Sequence, residues 1–274
     1  MKSNKIQRPL SYSSLKNFQK SPLSLLEYWN GKKKRSPEMV FGRFFHCMIL
    51  EPEKVNDRYR VYDETKRPEP DKDIRSKLNQ QWKNFGLPAW AEKKGINFVT
   101  KEDWEKAIAM CNSVMNHEPA RILLKAKENR FEQKIKWKVN DEECTGVIDI
   151  DNPFFIADFK TARSAYPPEF KKQVIWNDYW IQGGMYVDGS KQGKDIPQDD
   201  WKDYFLIAVE KEPPYLVSVN MIEKEFIAMG INRYRLLVDS YKIAKHNLNR
   251  GYEFWSPFGE DGIFKINVPT WMNY

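Results

Sequence analysis

The feature that most constrains this chain is a change of hydrophobic period at Phe131. Before it, apolar residues recur at helical spacing. After it they alternate, and strand-length runs follow in quick succession. Phe131 to Val139, Glu143 to Ile150 and Phe154 to Lys160 read as strands, with Asp151-Asn152-Pro153 as the turn between the last two. Phe170 to Asp188 reads as one helix, and Tyr204 to Glu210 and Tyr215 to Asn220 as two more strands. Ile222 to Asn249 reads as a long amphipathic helix, with Phe226, Met229, Leu236, Leu237, Ala244 and Leu248 inward and Gly251 as its cap. This order describes an α/β chain, a central mixed sheet flanked by helices on both faces.

The first part of the chain is helical. Ser11 to Trp29 fits one or two short helices, with Ser11 and Ser13 as capping candidates and Ser21-Pro22 as a second start. Val40 to Leu50 forms a helix with Phe41, Phe44, Phe45, Met48 and Ile49 on its apolar side, ended by Glu51-Pro52. Residues 52 to 99 are the least regular and fit loops with one short helix. Thr100 opens a helix running to about Asn116, with Trp104, Ile108, Cys111 and Met115 at helical spacing. The expectation is a single domain over 1–274, in which a helical and loop-rich region of about 1–99 packs on a core of about 100–274.

A chain of 274 residues can bury a full core without disulfides or structural metal. Cys47, Cys111 and Cys144 are odd in number and lack metal-ligand spacing, which fits free thiols in a reducing cytosol. No apolar run approaches the roughly 20 residues of a membrane span, so a cytoplasmic protein is expected. The net charge of +7 and pI of about 9.0 point to a polyanionic partner, either nucleic acid or an acidic membrane surface. Lys32, Lys33, Lys34 and Arg35, and Arg75 with Trp82, are candidates for nucleic-acid backbone contact and base stacking.

The chemistry concentrates in residues 146 to 162, GVIDIDNPFFIADFKTA. One strand carries Asp149 and the next carries Asp158 and Lys160, which share a face because strand side chains alternate. Paired carboxylates can hold a hard divalent cation such as magnesium through oxygen. Such a cation polarises a phosphate and acidifies water, and a lysine can orient that water or stabilise developing charge. An Asp-x-Lys pair alone is common on solvated strands. Here Val147, Ile148, Phe154, Phe155, Ile156 and Ala157 surround it, and charges among apolar residues demand partners. A symmetric turn at 151 to 153 would put Asp149 opposite about Phe155, leaving Asp158 roughly 10 Å further on, so the strands must be staggered, twisted or bulged. Glu132 could add a third carboxylate. Gln182 and Tyr186 share a helix face and could bond a phosphate or steady the lysine. His46, one turn after Gly42, is a usable metal ligand.

The ordered set Gly42-x-x-x-His46, Glu132, Asp149, Asp158-x-Lys160-Thr161 and Gln182-x-x-x-Tyr186 resembles the RecB-like branch of the PD-(D/E)XK nuclease superfamily. More narrowly it is similar to the RecE (exonuclease VIII) group of phage recombination exonucleases, through Phe41 to Pro52, Glu132 to Trp137, Ile156 to Thr161, Tyr179 to Gly189 and Val268-Pro269-Thr270-Trp271. The resemblance implies a restriction-endonuclease-like core. It implies Asp149, Asp158 and the Phe159 carbonyl as metal ligands, with His46 and Glu132 completing or supporting the site. Lys160 would be the catalytic lysine, with Gln182 and Tyr186 beside it. It further implies Mg2+, with Mn2+ able to substitute, and hydrolysis of duplex DNA ends in the 5′→3′ direction. A single-strand annealing partner and a closed homo-oligomeric ring belong to the same expectation. A structure-specific or single-strand endonuclease with the same metal site and a catalytically silent DNA-binding module are the alternatives. Some RecB-like relatives carry an iron–sulfur cluster on four cysteines. Here the first such position falls near Ser21-Pro22, and no cluster is expected.

Overall fold

The computed structural model describes residues 8–31, 36–61, 97–191 and 197–249. Lys32, Lys33, Lys34, Arg35, Arg75, Trp82, Gly251 and the Val268 to Trp271 segment lie outside these residues, as does the side chain of Leu248. In chain order the elements are α1 (Tyr12–Lys20), α2 (Pro22–Asn30), α3 (Pro37–Leu50), α4 (Val55–Arg58), β1 (Tyr59–Val61) and β2 (Asn97–Val99). Then come α5 (Lys101–Asn116), α6 (Glu118–Lys125), β3 (Arg130–Val139), β4 (Glu142–Asp151) and β5 (Phe155–Ala162). The remainder is α7 (Pro167–Trp176), α8 (Tyr179–Ser190), β6 (Asp203–Glu210), β7 (Val217–Ile222) and α9 (Lys224–Asn249). Helix α6 had no counterpart in the sequence reading.

Side-chain oxygens of Ser11, Ser21, Ser36 and Thr100 accept the backbone N–H three residues on, satisfying donors that a helix start leaves unpaired. The main sheet runs β3-β4-β5-β6-β7. Its pairs are antiparallel except β5–β6, which is parallel, so the sheet is mixed as expected. Asn140 and Asp141, both at positive φ, close the β3–β4 hairpin between Val139 and Glu142, the backbone that a two-residue hairpin turn of matching twist requires.

Helices cover both faces. On one face α1, α2, α8 and α9 pack over Ile148, Ile156, Tyr204, Leu206 and Ala208. On the other, α3, α5 and α6 pack over Ile150, Ala157, Phe159, Ile207 and Val209. Phe44 and Phe45 are fully buried there, each burial contributing about 1.5–3 kcal/mol.

Several expectations shift. The predicted single helix over Phe170 to Asp188 is two helices, broken at Asn177-Asp178, where Asp178 takes a left-handed backbone that Asp tolerates better than most residues. The inner face of α5 is Ala107, Met110 and Val114, and Ile108 points outward. In α9, Met229 and Leu236 are exposed while Ile227, Ile231, Tyr234, Leu237, Val238 and Tyr241 are buried. In both helices more than one apolar stripe fits the period, and contact with the sheet decides between them. Val147 and Phe154, expected around the acids, are also exposed. Strand β7 begins at Val217, because Tyr215 has positive φ and ends the preceding turn.

Candidate active site

The site forms where the sheet comes apart. Strand β5 pairs with β6 along its full length, from Phe155 to Ala162, but with β4 only at Ile150–Ala157 and Asp151–Ile156. The turn lies over Asn152 to Phe155, not 151 to 153. Its cause is Asn152, whose Oδ1 accepts the Phe154 N–H at 3.1 Å while its Nδ2 donates to the Lys127 carbonyl and to Asn129 Oδ1. Continuing that register sets Asp149 directly across from Asp158, so the 10 Å offset expected from a symmetric turn does not arise. A distortion is present as well. Ile148 packs in one face's core and Ile150 in the other's, although two residues apart, so the alternation of β4 is reset at Asp149. Across from it on β3 stands Glu132, at φ 48°. Glu132, Asp149 and Asp158 thus occupy one row across three strands.

Beyond its last pair with β5, β4 turns its hydrogen-bonding edge to other partners. Asp149 Oδ2 accepts the Phe159 N–H at 2.7 Å, standing where a strand carbonyl would. Further on, Leu10 bonds to Glu143 and Thr145 of the same edge. A strand residue directs its N–H and C=O to the same side, so the Phe159 carbonyl faces the gap beside Asp149.

Helix α3 supplies His46, whose Nδ1 lies 3.4 Å from Asp149 Oδ2. Ligand atoms of His46, Glu132 and Asp149 lie within 4.8 Å of one another. Asp158 stands outside that group. Its Oδ1 accepts from Gln182 Nε2 at 3.1 Å, and its Oδ2 pairs by charge with Lys160 yet makes no well-formed hydrogen bond. Lys160 Nζ donates to Gln182 Oε1 at 2.9 Å and sits 4.6 Å from the centre of the Tyr179 ring. Gln182 Nε2 also donates to the Tyr186 hydroxyl at 3.2 Å. The glutamine therefore holds acid and lysine together and is itself backed by the tyrosine. Helix α8 can bring Gln182 this close because Gly184 and Gly230 meet where α8 crosses α9. A Cβ on Gly184 would lie 2.5 Å from the α9 backbone.

The electrostatics follow from crowding. Burial drives the Asp158 carboxyl up to about 6, with Asp149 adding and Lys160 opposing. Burial also raises Glu132, helped by Asp149. For His46 burial opposes charge, but Asp149 prevails and lifts the imidazole above its ordinary value. Asp149 is held below its ordinary value despite burial, through His46, Lys160 and the Phe159 N–H. Lys160 stays charged because Asp158 outweighs its desolvation.

His46, Glu132, Asp149, Phe159 and Lys160 line a cleft of about 810 Å3, whose other walls include Arg43, Glu51, Arg58, Thr161, Tyr179 and Lys211. Thr161 closes the Asp158-x-Lys160-Thr161 motif, but nothing in the sequence gives the other five a role in the site. Tyr179 was reachable, since it stands one helical turn before Gln182. Arg43, Arg58 and Lys211 come from separate elements with no shared spacing. The basic candidates at 32–35, Arg75 and Trp82 lie outside the described residues.

The donor set fits a hard divalent cation. Two carboxylates and an imidazole converge, a backbone carbonyl faces the same gap, and a third carboxylate beside them has a buried oxygen held by the Lys160 charge without a well-formed hydrogen bond.

Residues 11–250 match the model of a family described as PDDEXK-like domain of unknown function (DUF3799). A comparison with curated proteins finds no match. Among solved structures, a "Putative exonuclease" from Eubacterium rectale is 12% identical, covering 98% of this chain and 93% of that one, with a TM-score of 0.57. At that identity the likeness is one of fold. Another, SSO0001, is 12% identical over 72% of this chain and 86% of that chain, with a TM-score of 0.25.

Proposed function

The chain belongs to this PDDEXK-like family, and on that premise we propose that it is a divalent-metal-dependent deoxyribonuclease. More narrowly, the reading is a RecE-like exonuclease that uses Mg2+ to degrade duplex DNA from its ends, 5′→3′, leaving 3′ overhangs. A homo-oligomeric ring in the host cytoplasm, serving phage-type recombination with a single-strand annealing partner, completes the reading. The observation that carries the nuclease assignment is the convergence of His46, Glu132 and Asp149 in a cleft that Lys160 also lines, with Asp158 and Gln182 bonded behind that lysine.

His46, Glu132 and Asp149 would hold the cation, with Asp158 and the Phe159 carbonyl next to them. A bound divalent cation supplies Lewis-acid polarisation of the phosphate and activation of a nearby water. Lys160 has the position to orient that water and to balance charge on the phosphate oxygens, because Gln182 and the Tyr179 ring fix its ammonium. Asp158 keeps that ammonium protonated. Gln182 fixes the spacing of acid and lysine by bonding to both.

The test is hydrolysis of linear duplex DNA with Mg2+ or Mn2+, for wild type, Asp158→Ala and Lys160→Ala. End-dependent degradation lost in both variants is expected. Activity surviving in both would sink the mechanism. Cleavage of covalently closed circular DNA would replace the exonuclease with an endonuclease. Tight duplex binding without hydrolysis would make the chain a DNA-binding module.

A further inference from the structure

Strand β3 is the open edge of the sheet, and beside it runs a groove of about 470 Å3. The groove is lined by Arg130, Lys134, Lys136 and Lys138, with Asp151 the acid in its wall. That acid is already neutralised by Arg130 and Lys202, each at 2.5 Å. Groove and cleft share one strand, since Glu132 lines the cleft and Gln133 lines the groove. They also meet across the hairpin, where Val147 in the cleft wall pairs with Lys134. Lys134, Lys136 and Lys138 are exposed and alternate with Ile135, Trp137 and Val139, which face the core. Among the described residues, none of the three lysines is in an ion pair. Lys138 stands opposite Glu143 in the hairpin, which tempers its charge. Lys134 and Lys136 stand opposite Val147 and Thr145, which leave theirs uncompensated.

We propose that this edge groove is a second nucleic-acid site, in which Lys134 and Lys136 take backbone phosphates of the substrate away from the scissile bond. The proposal rests on the nuclease reading and adds a direction to it. Substrate leaves the acid row along β3 toward the hairpin tip. Two lysines at positions i and i+2 of a strand share a face and stand about 6.8 Å apart, so both ammoniums can reach phosphates of one DNA strand. A flexible ammonium on an open strand suits a phosphate met as a point charge, without base readout.

The experiment measures duplex DNA affinity against salt in Ca2+, for wild type and the double variant Lys134→Gln/Lys136→Gln, with wild-type cleavage assayed in Mg2+ alongside. Each lost phosphate contact lowers the slope of log affinity against log salt by about 0.9, so the double variant should lose about 1.8. Affinity at low salt should fall roughly tenfold or more. Lys134→Arg/Lys136→Arg should restore the slope. If wild type cleaves DNA and the glutamine variant keeps its slope, the groove assignment is overturned and the nuclease reading stands. If wild type binds with the expected slope difference but does not cleave, the nuclease reading fails and the groove stands. Edge lysines can also guard a sheet against pairing with another chain. A glutamine variant that self-associates at micromolar concentration, with its slope unchanged at nanomolar concentration, would assign them to that role instead.

Discussion

Asp151 and Asp158 lie on neighbouring strands and are equally buried, yet they are neutralised in opposite ways. Asp151 takes Lys202 on one oxygen and Arg130 on the other. Asp188, deep under α9, is similar. It accepts from the Tyr234 hydroxyl and pairs with Arg235 at 2.9 Å. Asp158 must share Lys160 with the field of Asp149, and one of its oxygens lacks a hydrogen bond. Taking a carboxylate out of water costs several kcal/mol unless partners offset it. The first two acids are complete as they stand and serve the fold. Asp158 is short of positive charge, and that deficit, rather than burial or acid density, separates a site from a structural ion pair.

The contrast breaks most sharply on activity. Asp158→Ala and Lys160→Ala should each lower metal-dependent DNA hydrolysis about 10³-fold. Asp151→Asn should keep wild-type turnover per folded molecule, measured by single-turnover kinetics on end-labelled duplex. Equal losses in all three would erase the distinction.

Divalent metal comes next. At 100 times its dissociation constant it should raise wild-type stability by about 2.7 kcal/mol. The gain should vanish in Asp149→Asn and persist in Asp151→Asn, as read by denaturant unfolding with and without chelator. In chelator alone, Asp151→Asn should cost about 1–3 kcal/mol through its broken hydrogen bonds. Asp158→Asn should cost less, since it also relieves a crowded charge.

The pH response should carry an unusual sign. The Asp158 carboxyl is pushed up to about 6, above its unfolded value, so the folded chain binds the extra proton. Without metal, its contribution to stability should fall as pH rises toward and through about 6, the reverse of an ordinary paired acid. Metal affinity should move the other way. It should strengthen by up to about tenfold per pH unit for each proton displaced from Asp158 or His46. Calorimetry at pH 5.5 and 7.5 measures it, and equal affinities would remove these two groups from the metal's surroundings.

Smallest is Tyr186→Phe, which removes the hydroxyl behind Gln182 but keeps the ring that packs against Gly146. It should lower kcat only a few-fold with KM unchanged. A loss as large as that of Gln182→Ala would make the hydroxyl indispensable to the glutamine's position rather than a support behind it.

Much of the sheet was legible in the sequence, because β3, β4, β5 and β6 each carry their own period and strand length. The residue types of the site were legible too: Asp149, Asp158 and Lys160 crowd one short stretch, and Gln182 and Tyr186 share a helix face. Their registry was not. It depends on the side-chain bonds of Asn152, which move the turn, and on the left-handed backbone at Glu132. Neither leaves a periodic trace. The faces of α5 and α9 were legible only in part: Trp104, Cys111, Phe226, Leu237 and Ala244 pack on the core while Ile108, Met229 and Leu236 do not, because a helix with several apolar stripes is oriented only by what it meets. Arg43, Arg58 and Lys211 were illegible because the tertiary fold alone brings them to one cleft.

The crossing of α8 over α9 has a consequence for how this chain can vary. Gly184 and Gly230 touch no reacting group, yet any side chain at either must push the two helices apart. Gln182 rides on α8 and would retreat from Lys160 with it. In a survey of substitutions scored by activity, these two remote glycines should therefore be as intolerant as the acids themselves. A lineage that retains the chemistry would have little freedom to change the joint that aims it.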